Sequence, residues 1–471
     1  MSYPNVNVLN TDTICALSTV AGVSAIAVIR VSGQGAFAIV STLFEAKDKN
    51  FDMLNTPTHI VKYGLIKNKQ ELLDDVLLNI YRSPHSYTGE DSVEIFCHGS
   101  LYIQQKLLEL LVEKGCRMAQ PGEFTLRAFL NGKFDLSQAE AVADLIAAQS
   151  KNAHELAVKQ LKGGFSKKIN ELRTLLLRFT SLIELELDFS EEDVEFADRT
   201  QLMALIKNIE TELQQLLDSF RLGNVLKKGI PVAIIGKPNV GKSTLLNVLL
   251  NEDRAIVSHI PGTTRDAIED TITLDGTTFR FIDTAGLRNA DNEIEHIGIE
   301  KTYEKIKQAY IILYVFDVSA TTAEELNNQL EEMEPHLADG NKTLILVANK
   351  SDMLVEIPHN FKNLVEKDTV FISAKRCENI TLLTSRLIET INKEQLVSNE
   401  HVVSNVRHFD ALQKAREIVG DISQSLQGGV SHELLAADLR RALYYLDEIT
   451  GLRINNENIL GEIFGRFCIG K

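Results

Sequence analysis

Residues 236–244 read Gly-Lys-Pro-Asn-Val-Gly-Lys-Ser-Thr, GKPNVGKST, and this stretch decides the fold of the middle of the chain. Its spacing is GxxxxGK[ST], with Gly236, Gly241, Lys242 and Ser243 at the fixed positions. It follows the apolar run PVAII and opens TLLNVLL, the strand–loop–helix context that a phosphate-binding loop requires. The chemistry explains the spacing. Glycines let backbone N–H groups approach phosphate oxygens, Lys242 meets β and γ charge, and Ser243 is placed to bind Mg²⁺. Asn239, Val240 and Thr244 complete the predicted cradle.

Three further pieces follow in order. DTAG (Asp283, Thr284, Ala285, Gly286) ends the strand FRFI, with Asp283 set to hold Mg²⁺ through water and Gly286 to sense the γ-phosphate. NKSD ends TLILVA and brings Asn349, Lys350 and Asp352. The Asp352 carboxylate accepts from guanine N1–H and the exocyclic amine, donors that adenine lacks on that edge, so the motif selects GTP over ATP. SAK (Ser373, Ala374, Lys375) closes the base pocket. The four motifs in this order resemble the translation-factor-like GTPases. One position departs from the small Ras-like pattern, which places a glutamine after the DxxG glycine to orient water. Here it is Leu287, so another group must do that work, and LRNADNEIEHIG offers Glu293 and Glu295, either of which also reads as a solvated residue.

The surroundings are ordinary for a globular chain of 471 residues, long enough for about three domains. Forty-four per cent is hydrophobic and 24% charged, which suggests no disordered or fibrous class. Lys plus Arg is 49 against 65 Asp plus Glu, a net charge of −16 that argues against a broad non-specific nucleic-acid surface. KKINELRTLLLR (167–178) is the one cationic cluster, readable as an RNA contact or a solvated helix face. Cysteines 15, 97, 116, 377 and 468 show no CxxC pair, the pattern of free thiols in a reducing compartment. No signal peptide and no apolar run of about 18 residues is evident, so a cytoplasmic protein without a membrane span is expected.

Character changes along the chain set the expected domains. AIAVIRVSG, DDVLLNIYRS and DSVEIFCHGS read as strands and LYIQQKLLELLVEKG as a helix capped by Gly115, an α+β domain over 1–125. From 126 to 222, runs rich in Ala, Leu, Glu and Gln with apolar residues at 3–4 spacing predict long bundle helices. Over 223–388, β-branched runs alternate with helical segments, the pattern of a mostly parallel α/β sheet. Helical signal returns over 389–471. The fold expected is therefore multidomain: an α+β N-terminal domain, an α-helical bundle, and an α/β P-loop GTPase domain inserted between the bundle's halves, as insertion tolerates where termini lie close, with four domains in a row as the alternative.

PHSYTGEDSVEIFCHG, PGEFTLRAFLNGKFDLSQAEA, GKPNVGKSTLLN, IPGTTRD, DTAGLR…IEHIGIE and FCIGK together resemble the MnmE (TrmE) tRNA-modification GTPase family, across all the proposed domains. The resemblance implies a homodimer with a folate-binding N-terminal domain. It further implies a flavin-dependent partner, MnmG (GidA), in a heterotetramer or larger complex acting on tRNA. The implied product is an aminomethyl-type (carboxymethylaminomethyl) group at C5 of the wobble uridine, with 5-formyltetrahydrofolate or a related tetrahydrofolate as one-carbon source. It maps K⁺ contacts onto Asn239, Ser258, Ile260 and Thr263, and a GTP-contacting loop onto Ser258, His259, Ile260, Pro261, Gly262, Thr263 and Thr264. Thr264 joins Ser243 on Mg²⁺, and Glu295 rather than Glu293 becomes the catalytic, water-orienting glutamate. A cation near the β/γ-phosphates supplies the charge an arginine finger gives elsewhere, worth about 10³–10⁵ in rate. Arg30, Glu94, Lys133 and Lys471 match folate contacts. VAGVSAIAVIR carries fewer glycines than that family's pattern, and Ser100 replaces the second glycine of HGG, which leaves His98 a packed structural residue or a site residue.

GRFCIGK lacks the aliphatic pair and small or apolar last residue of a prenylation box. Cys468 reads either as a catalytic thiol or as a packed one. A GTP-controlled RNA or ribosome assembly switch is the alternative function. It needs neither a one-carbon site nor a thiol, and a membrane-remodelling GTPase lacks its basic amphipathic helix here.

Overall fold

The computed structural model describes residues 12–69, 71–188, 199–252, 270–282, 298–337, 342–354, 369–393, 402–428, 432–453, 457–465 and 467–471. The chain divides into two compact units, one of Met1–Ile146, Gln160–Leu213 and Asp410–Lys471, the other of Ala147–Lys159 and Gln214–Phe409.

The first unit is built on a seven-stranded sheet: β1 (Ile14–Leu17), β2 (Ser24–Ser32), β3 (Phe44–Ala46), β4 (Ile60–Asn68), β5 (Glu71–Tyr81), β6 (Ser92–Gly99) and β7 (Arg117–Met118), in the order β3-β4-β5-β6-β2-β1-β7. Its pairs are antiparallel except β1 with β7. The three longest runs predicted as strands are β2, β5 and β6, and their period-two alternation turns one face inward. Ala27, Ile29 and Val31 lie beside Val93, Ile95 and Cys97, and next to Val76, Leu78 and Ile80, all buried. Helices α1 (Ala36–Ser41) and α2 (Leu101–Glu113) cover this face through Phe37, Val40, Leu107, Leu110 and Leu111. Gly115, at φ +110, follows the C-terminal end of α2 as expected. Strands β1, β3, β4 and β7 were not among the predicted runs. Three of them are two to four residues long, too short to show a period, and β4 alternates only partly.

The same unit holds α3 (Glu123–Leu130), most of α4 (Leu136–Ala147), and the long α6 (Gly164–Asp188), which packs on α13 (His432–Thr450). Ile169, Leu172, Leu176, Phe179 and Ile183 recur at 3–4 spacing and are buried, as are Leu435, Leu439, Leu443 and Leu446. Two cations of the 167–178 cluster are spent inside this bundle. Lys168 pairs with Glu212 at 2.7 Å, and Arg173 pairs with the buried Asp447. Those two are structural partners rather than a free cationic stripe.

The second unit carries a six-stranded sheet of order β13-β12-β11-β8-β10-β9. Its strands are β8 (Ile230–Ile235), β9 (Asp270–Leu274), β10 (Thr277–Phe281), β11 (Ile311–Asp317), β12 (Thr343–Asn349) and β13 (Thr369–Phe371). All neighbours are parallel except the β9–β10 hairpin at one edge. β8, β11 and β12 are buried almost continuously because helices cover both faces. Val232, Ile234, Leu313 and Val347 pack toward α8 (Lys242–Glu252) and α11 (Ile380–Lys393). Ala233, Ile312, Tyr314 and Leu346 pack toward α9 (Gly298–Gln308) and α10 (Ala323–Leu337). The two ends of the 214–409 segment lie against each other. In α7 (Arg199–Lys228), Ser219 Oγ accepts the Val403 N–H at 3.0 Å, and Phe220 stacks on Phe409 at 4.3 Å. Phe409 sits in α12 (Val406–Gly428), and the chain also forms α5 (Lys151–Leu161) and, in the first unit, α14 (Glu457–Phe464). Among the described residues no helix is long and apolar enough to cross a membrane.

Candidate nucleotide site and a second candidate site at residues 468–471

The phosphate-loop motif spans the end of β8 and the start of α8, as its spacing predicts. Gly236 (φ +145), Asn239 (φ +62) and Gly241 (φ +98) hold left-handed backbone, which lets several N–H groups turn inward. A Cβ on Gly241 would stand 2.3 Å from Asn349 Nδ2, so the motif's second glycine is required by a close approach as well as by its φ. Lys242 Nζ donates to the carbonyls of Gly236 at 2.8 Å and Lys237 at 2.6 Å. Burial, with Lys305 nearby, lowers the Lys242 pKa. A cation held this way is stabilised by an anion, as phosphate would be.

The guanine motifs sit at neighbouring strand ends. Asn349, buried, ends β12 and stitches the loops together: Nδ2 donates to the Val240 carbonyl at 2.7 Å and Oδ1 accepts the Ala374 N–H at 3.0 Å. Lys350, at φ +64, donates to Asp317 Oδ2 at 2.6 Å. Asp352 Oδ1 accepts Ser373 Oγ–H at 2.7 Å, and Arg376 Nε stands 3.5 Å from Oδ2. The Ser373 hydrogen bond, with Arg376 and Lys375 nearby, keeps the Asp352 carboxyl below its usual range, hence ionised and able to accept two donors. Asn239, Val240, Gly241, Lys242, Asn349, Lys350, Asp352, Ser373 and Ala374 are thus joined by chain and hydrogen bonds into one loop cluster, with Ser243 and Thr244 opening α8. Lys375 is exposed. Asp317 and Arg376 were missed by the sequence reading. Asp317 ends an apolar strand run, a signal that could have flagged it. Residues 258–264, 283–286, Leu287, Glu293 and Glu295 lie outside the described residues.

In the first unit, sheet register sets Arg30 directly opposite Glu94 on the face away from the core. Arg30 Nε and Nη2 donate to Glu94 Oε1 at 3.0 and 2.8 Å, and the Tyr81 hydroxyl reaches Glu94 Oε2 at 3.4 Å. The guanidinium lies over the rings of Tyr87 and Phe124, at 5.0 and 5.5 Å. Lys133 Nζ donates to the Pro84 carbonyl at 2.9 Å.

Residues 468–471 are docked on the same unit's N-terminal part by main chain. The N–H of Gly122 donates to the Cys468 carbonyl at 3.4 Å, and that of Phe124 to the Lys471 main-chain oxygen at 3.2 Å. These satisfy first-turn donors of α3 that lack intrahelical partners. Ser18 Oγ donates to the Gly470 carbonyl at 3.3 Å. Gly470 has φ +91, and a Cβ there would meet the Leu17 carbonyl oxygen at 2.2 Å. Phe464 and Phe467 anchor the segment in the core, while the Cys468 thiol is exposed. Cys15, Cys97 and Cys116 are free and buried, and Cys377 is free and exposed.

Beneath this lies a charge network that the sequence reading did not identify, although PGEFTLRAFLNGK contains two of its members. Arg127 is fully buried and pairs with Asp12 Oδ1 at 2.5 Å, Glu123 Oε1 at 3.1 Å and Glu90 Oε1 at 3.2 Å. Arg117 adds a second guanidinium on Glu123 and Asp12. Burial raises the Glu90 carboxyl's pKa although Arg127 opposes it. His98 is not packed. Its side chain is 69% exposed, and the buried Asp74 fixes it by two bonds, Nδ1 to Oδ1 at 2.6 Å and backbone N–H to Oδ2 at 2.8 Å.

Comparison with known proteins adds an independent finding. A family model described as MnmE helical domain matches residues 136–468, and one described as GTP-binding protein TrmE N-terminus matches 13–133. The tRNA modification GTPase MnmE of Christiangramia forsetii is 50% identical over 474 residues, covering 98% of this chain and 99% of its own. The protein of that name from Flavobacterium johnsoniae is 50% identical over 470 residues, covering 98% of this chain and all of its own. That from Bacteroides thetaiotaomicron is 48% identical over 470 residues with the same coverage.

Proposed function

Because this chain belongs to the MnmE (TrmE) family of tRNA modification GTPases, we propose that its GTP cycle drives formation of an aminomethyl-type (carboxymethylaminomethyl) group at C5 of wobble uridine 34. The enzyme is a GTPase acting in tRNA modification. The finer reading is a homodimer working with the flavin-dependent MnmG partner in a heterotetramer or larger complex, in the cytoplasm. Its domain plan is an inserted nucleotide domain between two helical halves, which the close pairing of the two ends of the 214–409 segment favours.

In this reading the 236–244 loop holds the phosphates, and Lys242, partly desolvated, gains an anion to neutralise. Asp352 reads guanine while Ser373 and Asn349 hold the base-side loops in place. Ser243 and Thr264 hold Mg²⁺, and Asn239 with Ser258, Ile260 and Thr263 holds K⁺; when bound, these ions offset charge developing on the phosphates. The left-handed Asn239 at an exposed bend of the loop fits a ligand role for its carbonyl oxygen. Glu295 orients the attacking water in place of a glutamine at position 287. K⁺ supports association of two nucleotide domains, which orders the Thr264 segment.

A tetrahydrofolate supplies the one-carbon unit when bound. Glu94 accepts from its pterin donors with Arg30 holding that carboxylate in place, and Lys133 and Lys471 attract its glutamyl carboxylates. The donor set fits: Glu94 keeps one oxygen with only a 3.4 Å contact to Tyr81, and Lys133 is exposed with a neutral carbonyl as partner. Cys468, exposed on a segment fastened by its main chain, is the catalytic thiol in this reading rather than a packed one.

The observation that carries this reading is the joining of GKPNVGKST, NKSD and SAK into one loop cluster, in a chain that also docks FCIGK on its N-terminal part. Nucleoside analysis of tRNA from cells lacking the gene tests it. Loss of the modified wobble uridine is expected, and unchanged wobble uridine would leave the assembly-switch reading. Equal GTP turnover in potassium and sodium would remove the cation step. Cys468→Ser is expected to keep GTP turnover and lose modification.

A further inference from the structure

Helix α5 (Lys151–Leu161) begins against the turn of the β9–β10 hairpin, and both lie in the second unit at this point. Ser150 caps the helix, with Oγ accepting the Ala153 N–H at 3.2 Å. The N–H of Asn152 is a first-turn donor with no partner inside the helix. It donates instead to the Gly276 carbonyl at 3.2 Å, while Asn152 Nδ2 donates to Thr277 Oγ1 at 2.9 Å. Asp275 and Gly276 have φ +47 and +76, the left-handed pair of a two-residue hairpin turn. A Cβ on Gly276 would lie 2.8 Å from Lys151 Cβ. Thr277 is buried. The turn is therefore matched to the first turn of α5 by a main-chain bond, a side-chain bond and close packing.

This hairpin is also the stretch of chain between two nucleotide-sensing positions. In sequence, β9 follows Thr263 and Thr264, and β10 leads to Asp283 and Gly286. β10 pairs in parallel with β8, the strand that ends in the phosphate loop. A displacement of either flank reaches the hairpin by covalent continuity. A helix held at its first turn follows a displaced anchor as a stiff body rather than absorbing the shift.

We propose that Asn152 is a positioning residue of the GTP cycle: it ties the β9–β10 hairpin to α5, so that hairpin and helix respond to the bound nucleotide together. The proposal rests on the reading that Thr264 and Gly286 contact Mg²⁺ and the γ-phosphate. Asn152 touches neither nucleotide nor tRNA in this role, and it acts through Gly276 and Thr277.

The test is hydrogen exchange on the full-length protein with GDP and with guanosine 5′-(β,γ-imido)triphosphate, comparing wild type, Asn152→Leu and Asn152→Asp. In wild type, exchange at 270–281 and at 151–156 is expected to differ between the two nucleotides. Asn152→Leu keeps the hairpin difference, lowers the α5 difference roughly five-fold or more, and lowers wobble modification more than GTP turnover. Asn152→Asp restores the α5 difference, because its carboxylate accepts from the Thr277 hydroxyl and suits a helix N-terminus. A static brace would show no nucleotide-dependent α5 signal in wild type. That result, or an α5 response undiminished in Asn152→Leu, overturns the proposal. A hairpin that ignores the nucleotide in wild type overturns the proposal and the Thr264/Gly286 reading together, whereas a responsive hairpin with an unresponsive α5 sinks the proposal alone. Thr277→Val removes the same side-chain bond from the hairpin side, should Asn152→Leu not fold.

Discussion

The candidate nucleotide site and the 468–471 docking site are held together by different physics. Around GKPNVGKST the groups come from loops at adjacent strand ends, and their geometry is mostly backbone: left-handed residues, a lysine on main-chain carbonyls, and one buried asparagine bridging two loops. Around residues 468–471 the groups come from positions as far apart as Ser18 and Gly470. There, long-range bonds from the Gly122 and Phe124 N–H groups and the Ser18 hydroxyl, with two core phenylalanines, hold the segment. A site of the first kind fails when one residue's chemistry or φ is wrong. A site of the second kind fails when packing lets go.

That contrast can be broken by substitution. Lys242→Ala is expected to lower GTP hydrolysis about 10²–10³-fold while leaving stability nearly unchanged, read by steady-state turnover and a thermal melt. A matching fall in melting temperature would show that the loop also depends on tertiary packing. Arg127→Met should do the reverse. It takes the Arg127 cation from Glu90 and leaves Glu123 and Asp12 with Arg117 alone, so the first unit loses about 3–5 kcal/mol in urea unfolding, while GTP turnover per folded molecule persists.

Smaller effects sharpen the same line. Asp352→Asn replaces an acceptor pair by an amide with one acceptor, and GTP binding should weaken by about 1.5–3 kcal/mol, measured by calorimetry against ATP as control. Retained guanine preference would move recognition elsewhere in the cluster. The least effect concerns His98. Asp74's hydrogen bond and charge raise the imidazole pKa above its ordinary value of 6.5. The contribution to stability is therefore complete below the ordinary histidine pKa and lost as pH rises through the raised one. NMR titration of the His98 ring should show the upward shift, and Asp74→Asn should return it toward the ordinary range.

What was legible in the sequence follows the same divide. The phosphate and guanine motifs, the apolar parallel strands and the bundle helices could be read because each signal lies within a few residues: fixed glycines, a period of two or of 3.6, a charge at a strand end. His98 was ambiguous for the opposite reason. Its exposure and its carboxylate partner come from a different strand. The 167–178 cations looked available for RNA, yet Lys168 and Arg173 find acids on α7 and α13 that no local pattern announces.

The sequence by itself determined the GTPase character, the order of its motifs and, through the resemblance of PGEFTLRAFLNGK and FCIGK, the family. Only the tertiary structure decided that Arg30 faces Glu94, that Arg127 is buried among three carboxylates, and that the Asn152 amide meets the hairpin turn. It also decided that residues 468–471 fasten to α3 and Ser18 with the Cys468 thiol outward. The reason is physical: local motifs encode backbone conformation, whereas these partners meet only after strand register and helix packing have placed distant segments side by side.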